Sequence, residues 1–131
     1  MNPLSQKITD ESDLVTARLR GRDIAEQIGF GKFDQTLIAT AISELARNIL
    51  SYAQTGYIVI ESLYKNLRKG ISVQAVDEGP GIKDIESAKT AGYSTAGGLG
   101  MGLSGVQRLM DEFSIESAPG KGTKVEVLKW L

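Results

Sequence analysis

The chain contains no cysteine and no histidine. Without cysteine there is no disulfide, no iron–sulfur cluster and no thiolate zinc site, which fits a reducing cytoplasm. Without histidine there is no Ser–His couple, no phosphohistidine acceptor and no imidazole ligand. Any catalytic base must then be a carboxylate or, failing that, a lysine. Excess positive charge is missing too: 15 Lys and Arg stand against 16 Asp and Glu, a net charge of −1. No basic field recruits nucleic acid or an anionic membrane. No segment approaches the roughly 18 apolar residues of a membrane span, and the first residues lack a signal-peptide core. At 131 residues the chain is long enough for one domain, 1–131, with a real core.

Glycine is what the sequence has in an unusual place. Eight of its 15 glycines fall within Asp77–Gly105, DEGPGIKDIESAKTAGYSTAGGLGMGLSG. Such clustering marks backbone in conformations other residues avoid, or backbone brought close to a ligand. Asp77, Gly79 and Gly81 come straight off an apolar run. Gly97, Gly98, Gly100 and Gly102 lead into a helix-like segment, Leu103–Glu112. Gly-rich backbone running into a helix start presents free N–H groups and the positive end of the dipole, which suits phosphate. Turns alone are the competing reading. The stretch has no arginine; its cations are Lys83 and Lys89.

The rest of the chain divides into helices and hairpins. Residues 5–9 read as a short strand. Asp10, Glu11 and Ser12 offer N-caps for a helix over 13–28, with Leu14, Val15, Leu19, Ile24 and Ile28 as its apolar side. Gly29 and Gly31 end it. A second helix, 34–53, carries Ile38, Ile42, Leu45 and Ile49 at helical spacing. Two β-rich runs, 57–64 and 71–77, flank the turn Lys65–Gly70 as a hairpin. FSIES (113–117) and TKVEVLKW (123–130) make another. This order predicts an α+β two-layer sandwich: a mixed, mostly antiparallel sheet covered on one face by helices.

Three polar residues sit where core residues are expected. Asp77 ends a strand on the face that Ile71, Val73 and Ala75 mark as inward. A buried carboxylate needs a partner, which is either a ligand or the turn that follows. Glu44 and Asn48 stack one turn apart on the shoulder of the second helix's apolar stripe. Asn offers a carbonyl oxygen to a hard cation such as Mg²⁺, and Glu can take a proton from a hydroxyl. A solvated helix face is the plain alternative for that pair. Arg47 reads as a surface ion pair or a contact for phosphate or a partner.

Together these pieces resemble one family, the GHKL (Bergerat-fold) ATPases. Ser43-Glu44-Leu45-Ala46-Arg47-Asn48 is similar to its N box. Asp77-Glu78-Gly79-Pro80-Gly81-Ile82 is similar to the first glycine box, Gly98-Leu99-Gly100-Met101-Gly102-Leu103 to the second, and Gly122-Thr123 to the terminal Gly-Thr motif. The whole length resembles the anti-sigma-factor-related serine-protein kinases, nearest to the switch kinases of the bacterial stressosome. The resemblance implies ATP and Mg²⁺ as cofactors. It implies that Asp77 accepts from the adenine amine, with Thr123 supporting the ring through water. Gly79 and Gly81 let the backbone approach the base, and Asn48 ligates Mg²⁺. Glu44 is the implied base toward a serine hydroxyl. Gly98, Gly100, Met101, Gly102 and Leu103 bind the phosphates. The implied partners are STAS-domain proteins, as substrates and inhibitors, and a serine phosphatase activated by the released kinase. Two other readings stay open: an anti-sigma factor that sequesters a sigma subunit, and a partner-switching binding module without chemistry.

Overall fold

The structure is a computed structural model and describes residues 3–79, 99–117, 120 and 122–131, with 99–102 and 104 as backbone only. Its elements are β1 (Leu4–Ile8), α1 (Glu11–Ile28), α2 (Lys32–Tyr52), β2 (Gly56–Lys65), β3 (Arg68–Asp77), α3 (Leu99–Leu109), β4 (Glu112–Ser117) and β5 (Thr123–Trp130). The strands form one sheet in the order β1-β2-β3-β5-β4.

Each described pairing is antiparallel, which corrects the expectation of a mixed sheet. β3 and β4 do run the same way. β5 inserts between them and pairs with both, so no parallel ladder forms.

Asp10 caps α1: its Oδ1 accepts from the Asp13 N–H at 2.9 Å and from the Ser12 hydroxyl at 2.8 Å. The Asp13 N–H, then the Ser12 hydroxyl, hold the Asp10 carboxyl below its ordinary pKa. The buried side of α1 is Leu14, Ala17, Gly21, Ile24 and Ala25. Val15 and Leu19 are 38% and 54% exposed, against expectation. The contact face is built from small residues. A methyl on Gly21 would lie 2.1 Å from Ile42 Cδ1, so α1 and α2 approach at that point. Leu14 and Ile24 stay buried on that side, while Val15 and Leu19 lie off it.

The β2–β3 turn is tighter than the sequence suggests. Asn66 and Leu67 alone close it, with φ of 53° and 65°. Positive φ at both positions is the hairpin turn whose twist matches that of the strands.

The core lies between the inner sheet face and the helices. Ile58, Ile60, Ile71, Val73 and Val127 meet Ile38, Ile42, Leu45 and Ile49, all fully or almost fully buried. Burying each such side chain contributes about 1.5–3 kcal/mol. Helix α3 adds Leu103 and Val106. It occupies Leu99–Leu109 in place of the expected 103–112. It stops early because the Asp111 N–H turns to the Leu128 carbonyl at 2.9 Å and starts β4. Lys129, the buried cation of the inner face, donates to the Leu109 carbonyl at 3.0 Å and caps that end.

Candidate functional site

The inner face runs out at Asp77, the last residue of β3. In register it faces Gly56 on β2 and Thr123 on β5. The carboxylate is half-buried, and its Oδ1 accepts from the Gly79 N–H at 2.9 Å. It therefore caps the turn that follows. Burial pushes the carboxyl above its ordinary pKa, and the Gly79 and Thr123 N–H groups pull it partly back.

Glycines surround this carboxylate because backbone crowds it. A methyl on Gly56 would lie 2.5 Å from the Val76 carbonyl and 3.1 Å from Asp77 Cβ. One on Gly79 would meet Ala53 Cβ at 2.7 Å, and one on Gly122 would meet the Asp77 carbonyl at 2.2 Å. Gly122 also has φ of +79°, where side chains are strained. Gly79 and Gly122 belong to the glycine and Gly-Thr motifs. Gly56 was legible only as the end of the second helical segment, and its role needs the β2–β3 register.

A cleft of about 450 Å³ opens at the strand ends between Asp77, Glu116, Ser117 and Thr123. A second, of about 310 Å³, opens on the other flank beside Lys7, Tyr57 and Asp77. Ser117, which sequence reasoning passed over, faces Thr123 across the β4–β5 ladder. Its hydroxyl donates to the Gly122 carbonyl at 3.0 Å and lies 2.9 Å from the Thr123 hydroxyl.

The C-terminal turns of α2 abut the same end of the sheet, since Ile49 crowds Gly56 and Ala53 crowds Gly79. Glu44 and Asn48 are both half-buried on α2, one turn apart. The Asn48 Nδ2 is buried and has no hydrogen-bond partner among the described residues. Leaving such a donor unpaired costs about 1–3 kcal/mol. A phosphate oxygen would satisfy it, and the other side of the amide would face a cation. Among the described residues no group of three acidic or metal-binding side chains could hold an ion alone. An Asn amide oxygen can, however, complete a Mg²⁺ shell made mostly of phosphate oxygens and water. The residues present thus fit that ion. Arg47 pairs with Glu11 at 3.1 Å on the exposed surface and not with Glu44.

Gly100, Met101 and Gly102 lie in the first turn of α3, whose N–H groups have no intrahelical acceptors. Leu103 is 1% exposed, so its side chain belongs to the core and its backbone alone is available to a ligand. Gly81, Gly98, Lys83 and Lys89 lie outside the described residues.

The model of the histidine kinase-, DNA gyrase B- and HSP90-like ATPases matches residues 33–131. The chain belongs to that family. It is 53% identical over 125 residues to the serine/threonine-protein kinase RsbT of Bacillus subtilis, covering 95% of this chain and 94% of that one. At that likeness it falls in the serine/threonine-protein kinase class. It is also 37% identical over 100 residues to an anti-sigma F factor of Caldanaerobacter subterraneus, covering 72% of this chain and 68% of that one. A crystal structure of the SiaB–SiaC complex from Pseudomonas aeruginosa matches with a TM-score of 0.59 at 12% identity, over 100% of this chain and 90% of that chain. That last likeness bears on the fold alone. No helix among the described residues is long and apolar enough to cross a membrane.

Proposed function

We propose that the chain transfers the γ-phosphoryl group of ATP to a serine or threonine hydroxyl of a STAS-domain protein. The observation that carries this reading is Asp77, a half-buried acceptor at the mouth of a cleft, walled by backbone that only glycine permits. The Asp77 carboxylate takes the adenine amine, with Thr123 beside it. Gly79 and Gly81 bring the backbone to the base. Gly98 and the first turn of α3 hold the phosphates, with the Asn48 N–H donating to one of them. The Asn48 oxygen would hold Mg²⁺, which would supply charge neutralisation on the phosphates. Glu44 accepts the proton of the attacking hydroxyl as the new O–P bond forms and ADP leaves. Phosphoryl transfer needs mainly such positioning and charge stabilisation. Incubation with labelled ATP and a STAS-domain protein tests the reading. Phosphoprotein should appear with wild type and be lost with Glu44→Ala, and equal transfer by both would remove Glu44 from its role.

The partner-switching part of the proposal is that the STAS-domain protein also holds the kinase inactive, and that the released kinase binds and activates a serine phosphatase. Binding without chemistry should survive in Glu44→Ala. The likeness to an anti-sigma F factor favours a second reading, direct sequestration of a sigma subunit. Co-purification with sigma from cells, undiminished by phosphatase or STAS protein, would support it.

A further inference from the structure

Asp77 and Thr123 stand opposite each other on the inner face of the β3–β5 ladder. Side chains so placed have Cβ atoms about 4.5–5.5 Å apart. The Thr123 backbone N–H already reaches the carboxylate. A threonine hydroxyl in that position would ordinarily donate to the carboxylate as well, because a charge-assisted bond is the strongest on offer. The hydrogen bonding on the far side of Thr123 sends its proton elsewhere.

Ser117 has a single hydroxyl proton. The Gly122 carbonyl, 3.0 Å from Ser117 Oγ, can only accept, so that proton goes to Gly122. In the 2.9 Å contact between the two hydroxyls, Ser117 is then the acceptor and Thr123 the donor. Either hydroxyl can donate in that contact; placing the Ser117 proton on Gly122 sets the order Thr123 O–H to Ser117 Oγ and Ser117 O–H to the Gly122 carbonyl. Thr123 is left facing the cleft with lone pairs and no proton.

We propose that Ser117 is a nucleobase-specificity and positioning residue. By drawing off the Thr123 proton it keeps the Asp77 carboxylate open to a donor on the ligand and makes this corner of the cleft a pure acceptor. Such a corner suits an exocyclic amine and opposes a ring carbonyl in the same place. The proposal rests on the nucleotide reading of the site and deepens it. It also accounts for Ser117, Gly122 and Thr123 lining one cleft with Asp77.

The test is a double-mutant cycle on nucleotide affinity, measured by calorimetry with the full chain, Mg²⁺ and ATP or GTP. Ser117→Ala frees the Thr123 proton to turn to Asp77. ATP affinity should fall about tenfold, the effect of one misdirected hydrogen bond, and the preference for ATP over GTP should narrow. Ser117→Thr keeps the relay hydroxyl and should restore both. In a Thr123→Val background there is no proton to redirect, so adding Ser117→Ala should change nothing further. Additive losses in the cycle would overturn the proposal and reduce Ser117 to a fastening of the β4–β5 hairpin. So would an unchanged ATP affinity in Ser117→Ala. Thermal unfolding of each variant reports that fastening separately. Failure of wild type to bind ATP would sink the nucleotide reading itself, a different result from wild-type binding that ignores Ser117.

Discussion

Gly56 stands directly opposite Asp77 across the β2–β3 ladder, and a methyl group on it would lie 3.1 Å from Asp77 Cβ and 2.9 Å from Ile49 Cγ2. The missing side chain lets the strand end, the carboxylate and the last turns of α2 close on one point. Gly56→Ala should force them apart. Overpacking of this kind costs about 1–3 kcal/mol. Chemical denaturation should show that loss, and calorimetry should show weakened ATP binding, because the nearest clash, 2.5 Å away, is the Val76 carbonyl, next to Asp77 in the chain.

Asp77 should trade stability for ligand. Burial raises its pKa in the folded chain above the ordinary 3.8. The folded state therefore holds that proton more tightly than the unfolded state. Its contribution to stability is lost as pH rises from 3.8 through the raised value, and above it the ionised group remains a standing cost. Asp77→Asn removes the cost. The ligand-free variant should be at least as stable as wild type at pH 7, and the part of its stability that falls with rising pH just above 3.8 should flatten. Its ATP binding should be lost, since the amide presents a donor pair to the ring amine. Denaturation curves from pH 4 to 7 together with calorimetry check both halves.

The turn residue Leu67 offers a control far from the site. It is 86% exposed at φ 65°, where an L side chain other than glycine or asparagine costs about 1–2 kcal/mol. Leu67→Gly should raise the denaturation midpoint and leave ATP affinity and phosphate transfer unchanged. A loss of transfer would tie the hairpin tip to the substrate.

What could be read from sequence followed from periodicity and spacing. Ile38, Ile42, Leu45 and Ile49 declare the buried side of α2, and alternation through Ile71, Val73 and Ala75 carries Asp77 to the inner face. Residues acting through long-range register stayed hidden. Gly56 matters because β2 sets it against Asp77, and Ser117 because β4 sets it against Thr123; neither has a local signal. Leu19 misled because size was taken for burial, whereas the buried side of α1 runs through Leu14, Ala17, Gly21, Ile24 and Ala25, and Gly21 lets α1 meet α2 closely. The mixed sheet failed for a topological reason, since no local pattern reveals that β5 slips between β3 and β4.

Glu44 should separate binding from chemistry. It is half-buried on α2, one turn before Asn48. Glu44→Gln keeps shape and hydrogen bonding and removes the ability to hold the transferred proton. ATP affinity should stay within about twofold while transfer to the STAS-domain protein falls by roughly 10²–10⁴, the usual contribution of a general base. Single-turnover kinetics at saturating ATP measures it, and an unchanged rate would exclude the role.

Asn48 carries the opposite balance of stability and function to a core residue. Its Nδ2 is buried with no partner among the described residues. In the ligand-free chain that donor is a liability of about 1–3 kcal/mol. Asn48→Leu replaces it with an apolar group of similar volume, so the ligand-free protein should denature at equal or higher denaturant concentration. The same change deletes the amide oxygen proposed for Mg²⁺ and the N–H proposed for phosphate. Addition of Mg²⁺ should then no longer tighten ATP binding, although adenosine, which needs only the Asp77 end, should bind as before. A variant destabilised like an ordinary core truncation, with its Mg²⁺ dependence intact, would mean that Asn48 serves packing and that the phosphates lie elsewhere.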